Sequence, residues 1–154
     1  MSTQQDYEAF IAKIAEQTGI AALTPDADGL VSVRVEETYV LNLQYVEASS
    51  KILCFLEIGR IPQDAGAAVY RELLAAGLFG QETGGGYFAL EPTENTVVYH
   101  YLFDFDPAVT DPEAFVRALE KILALADLWA GRLAQVTDEP AAPAAGGDAM
   151  LLRP

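Results

Sequence analysis

Three consecutive stretches between Val31 and Ile58 place an apolar side chain at every second residue, and nothing else in the 154-residue chain limits its fold as strongly. Val31, Val33 and Val35 alternate with Ser32, Arg34 and Glu36. Tyr39, Leu41, Leu43 and Tyr45 then alternate with Val40, Asn42, Gln44 and Val46, and Ile52, Cys54, Leu56 and Ile58 alternate with Leu53, Phe55 and Glu57. A period of two matches a pleated strand, whose successive side chains point to opposite faces, and does not match a helix. The joins at residues 36–38 and 47–50 are too short for a crossover, so the three strands pair antiparallel. A second hairpin follows Gly84-Gly85-Gly86: residues 87–91, a Pro92-Thr93-Glu94-Asn95 turn, and then Val97, Tyr99, Tyr101 and Phe103 alternating with Val98, His100 and Leu102.

Helical spacing brackets these strands. Tyr7, Phe10, Ile11, Ile14 and Thr18 share one face of an opening helix, with Gly19 as its stop. After the break at Gly59-Arg60-Ile61-Pro62, Asp64 is placed to cap a second helix carrying Val69, Tyr70, Leu73, Leu74 and Leu78, dotted with small residues such as Ala68, Ala75 and Gly77. Thr110-Asp111-Pro112-Glu113 combines a capping box with an early proline and opens a last helix, in which Phe115, Leu119, Ile122, Ala126, Trp129 and Leu133 step by four and three. The order helix, three strands, helix, two strands, helix predicts an α+β fold with a mainly antiparallel five-stranded sheet. From Gln135 onward proline, glycine and alanine dominate, so residues 1–134 read as one domain and 135–154 as a flexible tail.

Charge removes several classes of function. Nine Lys and Arg against 23 Asp and Glu leave the chain at −14. Such a surface repels phosphate backbones and anionic lipid, so neither nucleic acid nor membrane is expected as a partner. No apolar run reaches the roughly 20 residues that cross a bilayer, and Met1-Ser2-Thr3-Gln4-Gln5-Asp6 lacks the basic start of a signal peptide, which predicts a cytoplasmic location. The one cysteine, Cys54, alternates with Ile52 and Leu56 and reads as a small buried apolar group.

Chemistry-bearing residues are scattered. His100 is the only histidine and has no cysteine or second histidine to share a metal. Asp104-Phe105-Asp106 ends a strand, and Asp26-Ala27-Asp28-Gly29 falls short of the calcium-loop pattern. Gly84-Gly85-Gly86 lacks the lysine and hydroxyl of a phosphate loop, Ser49-Ser50 sits in a turn with no base, and Glu36-Glu37 is one acidic pair among many. The expectation is a protein without catalytic residues, metal or cofactor, and not an enzyme.

The apolar surface points elsewhere. Val40, Val46, Leu53, Phe55, Val98 and Leu102 fall on the face opposite the main apolar one, so a sheet covered by helices on one side keeps apolar area on the other. Together with a helix rich in small residues, this implies a dimer that binds something hydrophobic.

The segments Leu56-Glu57-Ile58-Gly59-Arg60-Ile61-Pro62, Tyr70-Arg71-Glu72-Leu73-Leu74-Ala75-Ala76-Gly77 and Gly86-Tyr87-Phe88-Ala89-Leu90-Glu91, and the closing helix with Phe115 and Trp129, come in an order and spacing that resemble the class I type III secretion chaperones, the Tir chaperone family. The resemblance implies a homodimeric, non-catalytic, cytoplasmic bacterial chaperone that binds the N-terminal segment of a secreted effector in extended form and keeps it competent for export. Carried onto this chain, it assigns the dimer contact to Val69, Tyr70, Leu73, Leu74 and Leu78. It assigns effector binding to Tyr7, Phe10 and Ile14 of the first helix and Val31, Val33 and Val35 of the first strand. The alternative is an adaptor or regulator of the same fold that binds an endogenous protein.

Overall fold

The computed structural model describes residues 2–138. Helix α1 (Gln4–Thr18) is followed by strands β1 (Val31–Val35), β2 (Tyr39–Val46) and β3 (Lys51–Arg60), helix α2 (Ala67–Ala76), strands β4 (Tyr87–Glu91) and β5 (Thr96–Asp104), a short helix α3 (Phe105–Thr110) and the long helix α4 (Pro112–Asp138). The five strands form one antiparallel sheet in the order β1-β2-β3-β5-β4. The α+β fold is as expected: four strands follow from the period-two runs and β4 from its place between the glycine run and the turn.

Local chemistry sets the ends of α1. Thr3 and Asp6 form a reciprocal capping box, and Gly19 closes the helix in the left-handed conformation that glycine adopts without a Cβ penalty. Helices α1, α3 and α4 all pack on one face of the sheet. Tyr7 stacks on Tyr45, Phe10 meets Phe105 and Phe115 edge to face, and Phe88 meets Trp129. Such aromatic pairs contribute about 0.5–1.5 kcal/mol each beyond the area they bury. Gly59 lets α4 lie directly on β3, since a Cβ there would sit 2.8 Å from Leu133 Cδ2.

Four helix boundaries differ from the sequence expectation, and one short helix is added. The N-cap of α2 is Gly66, without a side-chain hydrogen bond, so Asp64 does not cap it, and Leu78 falls in a 3-10 turn (Leu78–Gly80) after the helix. At α4 the cap comes from Asp111, whose Oδ1 accepts from the Ala114 N–H, while the Thr110 hydroxyl donates to the Asp106 carbonyl and closes α3. Helix α3 was absent from the sequence pattern because its six residues are too few to show a period. It forms because Phe105 and Ala108 bury one small face and the Phe105 N–H donates to the Ser50 carbonyl. Helix α4 also continues through Asp138, four residues into the predicted tail; the rest of that tail lies outside the described residues.

The segment between α2 and β4 is held by two side chains from distant elements. The Tyr99 hydroxyl of β5 donates to the Thr83 carbonyl at 2.6 Å, and Trp129 Nε1 of α4 donates to the Glu82 carbonyl at 3.0 Å. The Thr83 carbonyl also accepts from the Gly86 N–H at 3.1 Å, so Tyr99→Phe removes one of its two hydrogen bonds and leaves the other. The expected cost is about 0.5–1.5 kcal/mol, the net worth of one hydrogen bond, read as a lower urea midpoint at unchanged slope.

Candidate functional site

The side chains on the uncovered face of the sheet come into register across all five strands. Tyr87 opposes His100, His100 opposes Phe55, Phe55 opposes Asn42, and Asn42 opposes Ser32. The Tyr87 and His100 rings stack at 4.9 Å with only 4° between planes, and Phe55 stacks on the other side of His100 at 6.1 Å. Leu53 opposes Leu102 one pair along, and Val98 opposes Glu57 one pair the other way. The Lys51–Asp104 ion pair, at 2.5 Å, marks one end of this face. Tyr87, Leu102 and Val40 are exposed there, so the sheet presents an apolar centre to solvent. Strand β1 pairs only with β2, which leaves its other edge without a strand partner among the described residues. An open edge can accept an extended chain through backbone hydrogen bonds, and the apolar row that begins two strands in at Phe55 can seat apolar side chains.

His100 lies between two rings with its Nδ1 buried and unpartnered. Burial holds its proton affinity below the ordinary histidine range, partly offset by a backbone hydrogen bond at Val98. The unfolded chain therefore binds a proton more readily than the folded one. Stability from this group is complete above an unfolded pKa of about 6.5 and falls as the pH drops through the lower folded value. Between pH of about 7.5 and 5.5, His100→Gln is expected to lose less stability than the native protein, measured by urea titration of both.

A second apolar surface lies at the far end of the sheet. Leu74 is 80% exposed, Leu78 64% and Phe79 86%. Beside them a groove of about 160 Å³ runs between α2 and β4, lined by Tyr70, Leu73, Leu74, Phe88 and Leu90 among others.

The residues assigned by resemblance divide unevenly between these surfaces. Tyr70, Leu74 and Leu78 are exposed and Leu73 is half-buried, all at the α2 surface. Val69 is buried and packs in the subunit's own core. Tyr7, Phe10, Ile14, Val31 and Val33 are likewise buried in that core, and Val35 is half-buried against it. Their side chains point inward because the alternation that makes β1 a strand and the spacing that makes α1 a helix both aim them at the sheet's covered face. The side chains that face outward, Tyr87, His100, Phe55 and Leu102, were visible in the sequence only as the weaker half of each alternation.

Cys54 is fully buried, and burial pushes its thiol up to about 12, as the apolar reading required. Among the described residues no group of three or more His, Cys, Asp or Glu is placed to hold a metal ion, and no helix is long and apolar enough to cross a membrane.

The model of the Tir chaperone protein (CesT) family matches residues 9–130, which take in every strand and most of α1 and α4. The chain belongs to the CesT family. A Chlamydia pneumoniae protein, CPj0713/CpB0740, is 31% identical over 124 residues, covering 79% of this chain and 92% of that protein. Among solved structures, a chain of the ExsC-ExsE complex superposes with a TM-score of 0.72 at 18% identity, covering 86% of this chain and 97% of its own. A chain of the HopA1-SchA chaperone-effector complex gives 0.64 at 15% identity, covering 86% and 95%. At these identities the likeness is one of fold. CesT proteins are non-enzymatic chaperones, and membership places this chain in that class.

Proposed function

We propose that this CesT-family chain acts as a homodimer in the bacterial cytoplasm, holding the N-terminal segment of a type III secreted effector in extended form so that it stays competent for export. The observation that supports this most directly is the uncovered sheet face, with Tyr87, His100 and Phe55 in one row on β4, β5 and β3, on a sheet whose β1 edge has no strand partner among the described residues. An extended client adds a strand to the β1 edge through backbone hydrogen bonds that are indifferent to its sequence, and the chain that continues from it across the sheet lays apolar side chains on the row, which begins two strands in at Phe55. In place of the side chains of Val31, Val33 and Val35, β1 contributes its backbone. HopA1-SchA is a chaperone-effector complex, and the fold shared with it supports an effector as the client here.

Net charge has a separate role. At −14 the chain stays soluble around its apolar surfaces and draws basic clients at low salt. Tyr70, Leu74 and Leu78, with Leu73 behind them, supply the contact between copies. The test is affinity purification from the native host followed by mass spectrometry of what comes with it. The expected result is one much larger protein, protected from protease only near its N-terminus, and a free chaperone near twice 16.6 kDa. A free monomer at micromolar concentration, or a client held through a folded domain, would overturn the reading.

A further inference from the structure

Phe79 is at odds with the rest of the subunit. It is 86% exposed and adopts a left-handed backbone, φ 58° and ψ 10°, which a bulky side chain avoids. Exposure and strain at one residue gain nothing within a single copy, and strain of this kind gathers where a surface meets a partner.

A cavity of matching size is lined by the end of α2, five residues before Phe79 in sequence at Leu74. The groove between α2 and β4 measures about 160 Å³ and is lined by Ile61, Tyr70, Leu73, Leu74, Phe88 and Leu90. An apolar cavity of roughly 150 Å³ accepts a benzene ring. Because the ring follows α2 by three residues and the groove is lined by α2, two copies related by a two-fold axis can satisfy each other. With α2 packed antiparallel on its counterpart and the axis between Leu74 and Ala75, Phe79 of one copy faces Tyr70 of the other, at the groove. Ala75 and Gly77 keep the approach close.

Charge selects the occupant. Residues 73–81 and 87–90 carry no charged side chain in a protein of net charge −14. A basic partner is drawn to the acidic remainder of the surface, whereas two copies, each at −14, meet with the fewest direct like-charge contacts across this uncharged stretch.

We propose that two copies of this chain exchange Phe79, each ring filling the groove of the other. The proposal rests on the homodimer reading above and adds the residue and cavity that hold the dimer together. Phe79→Gly removes the ring and relaxes the backbone, so it leaves the subunit's circular dichroism intact and weakens dimerisation by roughly 30-fold or more, the scale of an interface anchor. Phe79→Leu has a smaller effect. Chains carrying Phe79→Cys, mixed with chains carrying Leu90→Cys and oxidised, give a covalent heterodimer that neither forms alone, and the buried Cys54 does not compete.

The failures are separable. A native chain that sediments as a monomer defeats the homodimer reading and this proposal together. A native dimer that Phe79→Gly leaves intact, with no cross-link from the mixed cysteine chains, defeats only the exchange. Loss of client binding with the dimer unchanged assigns the groove to the client and equally overturns the exchange.

Discussion

Trp129→Ala is expected to lower folding stability by about 3–5 kcal/mol, the range for removing a large buried aromatic side chain. Trp129 is 1% exposed, meets Phe88 edge to face at 5.0 Å, and has the Arg132 guanidinium over its ring at 4.7 Å. Its Nε1 also holds the Glu82 carbonyl, so truncation opens a cavity and frees the segment that links α2 to β4. Domains of this size have about 5–15 kcal/mol in total, and the variant therefore sits near the threshold of unfolding. Trp129→Phe keeps most of the packing and removes only the hydrogen bond, for which about 1–3 kcal/mol is expected. Urea titrations of the two variants separate packing from hydrogen bonding. A loss below about 1 kcal/mol for the alanine variant would show that the β4 end of the sheet is not held from α4.

Leu102→Glu is expected to weaken client binding at least about tenfold, because it sets a charge on the apolar face beside Phe55 and His100, where a client side chain must be desolvated. Leu102 is exposed, so the subunit's own stability should change by less than about 0.5 kcal/mol. Phe10→Ala makes the opposite pattern. Phe10 contacts Phe105 and Phe115 in the core, so its truncation costs about 3–5 kcal/mol and affects the client only by unfolding the chaperone. Titration of client peptide against both variants, with melting curves alongside, distinguishes the two cases. Raising salt to about 1 M shortens the screening length to about 3 Å and slows encounter while leaving the apolar contact in place. A complex that dissolves in high salt but tolerates Leu102→Glu would assign the binding to charge instead.

How much of this was legible beforehand differs between fold and site. The strands were, because alternation is a local property: Val31, Val33 and Val35 can face one way only if Ser32 and Arg34 face the other. Helix α3 was not, since Phe105 and Ala108 are two residues whose significance lies in Tyr45 and Phe10 across the core. Asp111 rather than Thr110 caps α4 for a similar reason, as Thr110 is already engaged by α3. The assigned client residues show the limit most clearly. Tyr7, Phe10 and Ile14 are apolar at helical spacing, which identifies a buried stripe but does not say whether the cover is the chain's own sheet or a partner.

Period, cap and charge thus sufficed for an acidic α+β chain with a half-covered antiparallel sheet, because each is written within a few neighbouring residues. Which apolar side chains remain outside was decided only by tertiary structure. His100 meets Phe55 and Tyr87 through strand register, and Phe79 stands clear because the chain turns at Gly80 and is tied down by Tyr99 and Trp129. Exposure is the area left over after every other group has been packed, and no local pattern contains that remainder.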